Sequence, residues 1–325
     1  MMGLSRFSWR VEEESDHVRI LFLFLDGVGL GETDPERNPL MAARLPTLHQ
    51  MIGGIPSLRQ RRISSPYGAA VPIDATLGVD GLPQSGTGQA ALLAGFNAPK
   101  VAGHHFGPFP PSSIREQIRK QNIFQMVLEL GKSPCFANAF PQRFFDYVAA
   151  HKFRMSMTTL SCLYSGLALR KAPELKSGHA LSADLTNEGW QAMGYPDIPI
   201  RTPKESGHAL ADLAMRHEFT LFEYWTTDSA GHSRDRTKSI AVLERFDAML
   251  EGLLERLDEK STLILMSSDH GNIEDLSVKT HTRNPVPLVA YGHGYHAFLD
   301  LLSRRHRPNL SHITPAMLEL LKANS

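Results

Sequence analysis

Short apolar runs alternate with amphipathic stretches along this chain. Residues 20–25, 219–225 and 262–266 are largely apolar runs of strand length, and such runs are typical of parallel strands buried on both faces. Residues 233–257 carry apolar positions near helical spacing and predict one long helix. Strands that alternate with helices predict an α/β fold, a three-layer α/β/α sandwich around a mostly parallel central sheet.

The length of the chain is compatible with one large domain. It has 325 residues, of which 42% are apolar, so we expect a single domain over residues 1–325. Residues 141–203 have weak periodicity and many Gly and Pro, and they predict a small lid or insertion within that domain. Residues 1–17 are polar and predict an N-terminal arm.

Charge and cysteine usage narrow the function classes. The formal net charge is zero, so no electrostatic argument favours nucleic acid or an acidic membrane surface as a partner. No apolar run reaches the roughly 18 residues of a transmembrane helix. The two cysteines, Cys135 and Cys162, do not make a disulfide framework. We therefore expect a cytoplasmic protein with no membrane or nucleic-acid partner.

Metal-ligand residue types recur beside the predicted strands. Asp and His can hold divalent cations, and the C-terminal ends of strands are where an α/β fold builds a ligand site. The Asp-x-x-x-His motif alone is weak, since it occurs by chance on loops, and a lone His is more often a surface or core residue. Asp269-His270 is the stronger signal, because a charged pair directly after an apolar strand is costly unless it is exposed or ligated. Together they predict a site for one or two metals. The residues are Asp26 after 20–25, Asp228 and His232 after 219–225, Asp269 and His270 after 262–266, and His281 before 287–291.

A candidate nucleophile lies in another segment. Residues 82–97 predict a loop that leads into a helix, with Ser85 at or near the helix N-terminus. Free N–H groups and the positive end of the helix dipole suit a phosphate there. Asn97 and Asn272 are weaker candidates for orienting ligands.

These residues carry a family resemblance. The chain resembles the alkaline phosphatase superfamily and, within it, the branch of cofactor-independent phosphoglycerate mutases and phosphopentomutases. SSDHGNIED around Asp269 and HTRNPVPLVAYG from His281 are the specific signals. The supporting motifs are LFLDGVG around Asp26, LPQSGTGQAALLAG around Ser85 and DSAGH from Asp228.

The resemblance implies an alkaline-phosphatase-like fold and two divalent metal ions, Zn²⁺ or Mn²⁺. It also implies that Ser85 is the nucleophile, in the frame Ser-Gly-Thr-Gly-Gln, with Thr87 as the alternative. The implied ligands are Asp228, His232 and His281 for one metal, and Asp26, Asp269 and His270, with Ser85 as an oxygen ligand, for the second.

The implied activity is phosphoryl transfer from a small phosphorylated substrate through a phosphoserine. The mutases carry a substantial inserted cap, and residues 141–203 are short for one. The sequence therefore favours a hydrolase of a phosphate ester. The alternatives are a phosphomutase of the phosphoglycerate or phosphopentose type, a sulfatase or phosphodiesterase on the same scaffold, and a metal-stabilised protein without catalysis.

Basic residues are candidates for binding the rest of an anionic substrate, because Arg is a good phosphate clamp. A surface or structural role is the more frequent one for each of them taken alone. The candidates are Arg283, Arg143, His104, His105 and Lys100.

Overall fold

The computed structural model describes residues 18–150 and 154–323, so the arm predicted for 1–17 lies outside the described residues. Within them, one seven-stranded sheet crosses the fold in the order β2-β3-β7-β6-β1-β5-β4. The strands are β1 (Arg19–Leu25), β2 (Ile63–Ser64), β3 (Gly68–Ile73), β4 (Pro134–Phe136), β5 (Phe219–Tyr224), β6 (Thr262–Ser267) and β7 (Val286–Gly292).

Helices cover both faces of this sheet, and each face has its own apolar cluster. The α/β/α sandwich predicted from the sequence is therefore confirmed. The helices are α1 (Pro39–Ala42), α2 (Pro46–Ile52), α3 (Ser85–Ala94), α4 (Ala98–Ala102), α5 (Ser112–Lys120), α6 (Ile123–Glu129), α7 (Gln142–Ala150), α8 (Met157–Ser165), α9 (Ala172–Lys176), α10 (Glu188–Ala192), α11 (Pro203–Ala214), α12 (Thr226–Ser233), α13 (Arg236–Arg256), α14 (Tyr295–Ser303) and α15 (Ile313–Ala323), with a 3₁₀ turn at Leu310–His312.

The direction of the strands decides which chain ends meet. β6, β1, β5 and β4 are parallel, whereas β7 is antiparallel to β6. β1, β5 and β6 are buried along nearly their whole length because helices cover both sides. The C-terminal ends of these parallel strands lie at one edge, and the beginning of β7 lies at that same edge.

The helix predicted for residues 233–257 is interrupted near its beginning. α12 ends before Arg234, which has a φ of 55°, and α13 starts after Asp235. The Asp235 side chain accepts a hydrogen bond from the Lys238 N–H and so caps α13. Among the described helices, none combines the length and the apolar character needed to cross a bilayer.

The segment 141–203 divides into two parts. α8 lies in the main core, where Met157 and Cys162 join the apolar cluster of one sheet face. A separate small cluster forms around Leu175, Trp190 and Ile198. The segment is therefore not a separate insertion over its whole length. The prediction of a lid now concerns only α7 and the part that forms this small cluster.

Candidate metal centre

One edge of the sheet gathers all the predicted metal ligands. The C-terminal ends of the adjacent parallel strands β6, β1 and β5 meet there, which is where α/β sheets bind ligands. The beginning of β7 joins them because that strand is antiparallel. The residues are Asp26 after β1, Asp228 and His232 on α12, Asp269 and His270 after β6, and His281 before β7.

The first group of candidate ligands is Asp228, His232 and His281, whose donor atoms lie within 4.8 Å of one another. The sequence suggested a loop for Asp228 and His232, but both lie on helix α12. Their four-residue spacing puts both side chains on one face of this helix. His232 Nε2 lies 3.4 Å from Asp228 Oδ2 and 3.2 Å from His281 Nε2. His281 Nδ1 is 2.8 Å from the Pro83 carbonyl oxygen. It donates its proton there, so the Nε2 lone pair is directed into the group.

The second group is Asp26, Asp269 and His270, and all three are buried. His270 Nε2 lies 3.4 Å from Asp26 Oδ1 and 3.5 Å from Asp269 Oδ2. The Ser85 hydroxyl oxygen is 2.9 Å from the same nitrogen. The His270 ring stacks on the His281 ring with centroids 3.7 Å apart, so the two groups are direct neighbours.

Both groups fit divalent cations. Donors in a tetrahedral site with bonds of about 2.0–2.1 Å lie about 3.3 Å apart, close to the 3.4 and 3.5 Å observed around His270. Asp26 Oδ1 and Asp269 Oδ2 are buried and have no hydrogen-bond partner in the described part of the chain. Buried polar atoms without partners are costly, and a cation between these oxygens would satisfy both.

Two glycines allow neighbouring segments to pack closely around the candidate metal ligands. A Cβ on Gly88 would lie 2.8 Å from the Asp269 carbonyl oxygen, so α3 packs on the loop after β6 only with glycine there. Gly27 has a φ of 69°, and a Cβ on it would lie 2.5 Å from Asp228 Oδ1. Close packing around the ligands therefore explains Gly27 in the motif LFLDGVG and Gly88 in the motif LPQSGTGQAALLAG.

The surroundings of the two candidate nucleophiles differ. Ser85 is the first residue of α3, and its hydroxyl faces His270. The Thr87 hydroxyl accepts a hydrogen bond of 3.1 Å from the Phe106 N–H, and the Thr87 N–H donates to the Phe106 carbonyl at 2.9 Å. Thr87 thus ties α3 to the loop at 103–111. The geometry favours Ser85 as the nucleophile, and this assignment stays a prediction.

Glu274 was not predicted as part of the site. This buried carboxylate accepts hydrogen bonds from the N–H groups of Gly29 and Asn272, at 2.9 and 2.7 Å, and from Asn284 Nδ2 at 3.1 Å. Thr282 Oγ1 donates to it as well. Glu274 therefore joins the loops after β1, after β6 and before β7. The only signal in the sequence was an acidic residue within SSDHGNIED.

Amide side chains orient the ligand carboxylates. Asn272 Nδ2 donates to Asp228 Oδ1 at 2.6 Å, in line with its predicted role. Gln89 Nε2 donates to Asp26 Oδ2 at 3.2 Å and was not predicted. Its position one helical turn after Ser85 was the available signal. Asn97 instead caps α4.

Burial and mutual repulsion shape the ionisation of the second group. Burial raises the pKa of Asp26 well above its usual range, and the charge of Asp269 raises it further. Burial and then the charge of Asp228 raise the pKa of Asp269 to about 7. Burial and then nearby His281 lower the pKa of His270 to about 3. His270 is therefore neutral near pH 7, as a metal ligand must be.

The metal-free protein should lose stability as pH rises from about 6.5 through about 7. A carboxyl whose folded pKa is raised contributes stability that is complete below its unfolded pKa and is lost as pH rises through the folded pKa. For Asp269 this window runs from 3.8 to about 7. Below about pH 6.5 the unfolded-state protonation of His270 opposes this trend, so the loss becomes visible above it. We expect up to about 1.4 kcal/mol per pH unit for each proton lost.

Thermal unfolding after chelator treatment, at pH 6.5, 7.25 and 8, measures this effect. Added Mn²⁺ should raise the melting temperature more at pH 8 than at pH 6.5, because it binds the ionised carboxylates. A metal-free melting temperature that rises over this range would contradict the prediction.

The five basic candidates are spread over several positions. Burial lowers the pKa of His105, and the charge of Arg283 acts in the same direction, so these two lie near each other. Lys100 and His104 are exposed on α4 and the loop after it. Arg143 is on α7, beside a different cleft. The structure therefore does not gather all five into one anion site, and their role in binding substrate stays a prediction.

Sequence comparison also indicates a metalloenzyme. The Metalloenzyme superfamily profile matches residues 201–325, which include five of the six candidate ligands. The 2,3-bisphosphoglycerate-independent phosphoglycerate mutase of Haloquadratum walsbyi is 28% identical over 139 residues. That match covers 39% of this chain and 27% of the mutase, so the chain matches only about a quarter of the length of this relative.

Solved structures share the fold over nearly the whole chain. The PH0037 protein of Pyrococcus horikoshii has a TM-score of 0.55 at 14% identity, covering 94% of this chain and 97% of that one. A cold-active alkaline phosphatase from Shewanella sp. has a TM-score of 0.53 at 14% identity, covering 94% and 100%. The superfamily match over residues 201–325, the mutase relatives and the shared fold together support a metalloenzyme of the alkaline phosphatase superfamily.

Proposed function

We propose that this protein transfers a phosphoryl group from a phosphate ester to Ser85 and from there to a second acceptor. The observation that carries the proposal is the placement of the Ser85 hydroxyl 2.9 Å from His270 Nε2, at the edge of the buried ligand group. The N-terminus of α3, where Ser85 lies, favours a negatively charged phosphate.

Divalent metal ions bound at the two groups would lower the pKa of the attacking hydroxyl and offset the charge of the transferring phosphate. Zn²⁺ and Mn²⁺ both suit Asp and His ligands, and ligand type does not separate them. The chain itself positions the reacting oxygen. Ser85 Oγ gives up its proton and forms a bond to phosphorus while the ester P–O bond breaks and the departing alcohol oxygen takes up a proton. The acceptor hydroxyl then loses its proton and its oxygen displaces Ser85 Oγ, which is protonated again.

The relatives favour a mutase over the hydrolase that the sequence suggested. Curated relatives carry the name 2,3-bisphosphoglycerate-independent phosphoglycerate mutase. Our proposal therefore takes the second acceptor to be a hydroxyl of the same small phosphorylated substrate. A hydrolase is the second candidate, because α8 belongs to the main core and little of 141–203 remains to exclude water.

The fate of the phosphate separates these two functions. Protein loaded with Mn²⁺ or Zn²⁺ is incubated with 3-phosphoglycerate and, separately, with ribose 1-phosphate. A mutase yields the isomeric phosphate ester with no free phosphate. Release of inorganic phosphate in proportion to substrate loss would establish the hydrolase instead. Turnover of an aryl sulfate or a phosphodiester, but of no monoester, would contradict both forms of the proposal.

A cytoplasmic location completes the proposal. Cys135 and Cys162 are both free thiols and both buried, which suits a reducing compartment. The ligand set of the metal centre contains only oxygen and nitrogen donors, so neither cysteine is needed there.

A further inference from the structure

A cleft of 680 Å³ opens between the end of β5, α7 and the segment 182–193. Glu223 and Trp225 line it at the C-terminal end of β5, directly before α12 with its candidate ligands, and it takes no part in the chemistry described above. Pockets of 300–1,000 Å³ with mostly apolar and aromatic lining are typical of small-molecule sites. Its aromatic lining residues are Phe140, Phe144, Tyr147, Trp190 and Trp225.

The far wall of the cleft is held in place by one carboxylate. Asp184 accepts hydrogen bonds from Ser182 Oγ at 2.5 Å, from the Asn187 N–H at 2.9 Å and from the Gly189 N–H at 2.7 Å. Trp190, which follows directly, is 3% exposed. This wall therefore has a fixed shape before any ligand binds.

The floor is equally well fixed. Asn138 pairs with the backbone of Glu223 through two hydrogen bonds of 2.8 Å. Phe140 and Phe144 pack against each other beside it, with ring centroids 4.4 Å apart and planes tilted by 32°. A preformed pocket loses little freedom on binding, which favours ligand affinity.

The cleft adjoins the metal centre through the chain itself. Trp225 immediately precedes α12, and the candidate ligand Asp228 is three residues further on. Trp225 is 51% exposed and Tyr147 is 38% exposed. Two large aromatic side chains partly open to solvent at one cleft are the kind of surface that ligands cover.

We propose that this aromatic cleft binds a planar aromatic ring on the alcohol side of the phosphate ester. The inference rests on the proposed function, since it places the phosphoryl group at Ser85 and the ring beside Trp225. A three-carbon phosphorylated acid would leave most of the cleft unfilled. The substrate class is therefore nucleoside phosphates, whose sugar also carries the second hydroxyl that a mutase needs, and an aryl phosphate serves as a probe of the ring site. Arg143 at the rim can stack on the ring with its guanidinium plane.

Binding to metal-loaded Ser85→Ala protein tests the cleft without turnover. Calorimetry compares 2-naphthyl phosphate with glycerol 1-phosphate. We expect the naphthyl ester to bind at least tenfold more tightly, and Trp225→Ala in this background to remove roughly tenfold of its affinity. The affinity for glycerol 1-phosphate should be unchanged.

Tyr67→Ala is the matched control, because Tyr67 is an aromatic residue, 44% exposed, beside the opposite edge strands β2 and β3. It should leave both affinities unchanged. Tyr147→Ala is the second cleft variant and should weaken naphthyl phosphate alone. The inference would be overturned if Trp225→Ala and Tyr147→Ala lowered the affinity for both esters equally, or lowered neither affinity.

Activity of the wild-type protein separates this inference from the proposed function. If phosphate is transferred from both esters with equal kcat/KM, and the cleft variants change nothing, the cleft assignment is wrong and the proposed function stands. If none of these two esters, 3-phosphoglycerate and ribose 1-phosphate is turned over but naphthyl phosphate binding still depends on Trp225, the proposed function is wrong and the ring site stands.

Discussion

Replacing Ser85 by alanine should abolish phosphoryl transfer while both metal-ligand groups remain intact. The substitution removes the oxygen that lies 2.9 Å from His270 Nε2 and leaves the six Asp and His side chains unchanged. Loss of a nucleophile lowers kcat by about four orders of magnitude or more. Phosphate-ester turnover and metal content, measured on the same preparation, test the prediction together.

Thr87→Val is the matched control, because it removes the hydroxyl of the alternative nucleophile and keeps its shape. It should cost about 1 kcal/mol of stability through the lost hydrogen bond with the Phe106 N–H. Turnover should survive in this variant. If Ser85→Ala retains normal turnover and Thr87→Val has none, the two roles must be exchanged.

Replacing Asp269 by asparagine should have opposite effects on the metal-free and the metal-loaded protein. Asp269 is fully buried, and the charge of Asp228 adds to the burial that raises its pKa to about 7. Without metal, removing this charge should stabilise the fold by on the order of 2 kcal/mol at pH 8. With metal, the variant should bind one ion per chain instead of two, and affinity at the second group should fall by at least about 100-fold.

Asp275→Asn provides the control, since Asp275 is a nearby carboxylate that pairs with Arg37 outside both ligand groups. It should keep two metals and shift the melting temperature little, because exposed ion pairs contribute little. The observables are metal content after dialysis and melting curves with and without chelator. A metal-free Asp269→Asn protein that is less stable than the wild type at pH 8 would show that this carboxylate is not an uncompensated charge.

Local patterns were sufficient to predict the layers and most of the ligands. The apolar runs that became β1, β5 and β6 are short and buried on both faces, so their strand character follows from composition and length. Asp26, Asp228 and Asp269 follow those strands within four residues, and the C-terminal ends of adjacent parallel strands lie side by side whatever the details of packing.

The conformation of α12 could not be predicted in this way. Asp228 to His232 contains Gly, Ser and Asp, which suit loops, but the packing of α12 between the strand end and α13 overrides that local preference. The function of Glu274 was hidden for a similar reason. Its partners come from three loops, and one of them, Gly29, is 245 residues away along the chain.

The sequence by itself determined the α/β class, the strand ends that carry the ligands and the residue types of an oxygen-and-nitrogen metal centre, because these depend on local periodicity. Only the tertiary structure decided that β7 is antiparallel and so brings His281 to the same edge. It also decided that Ser85 and not Thr87 faces His270, and that Trp225 and Tyr147 line one cleft. These facts depend on which distant segments pack together, and no window along the chain contains both partners.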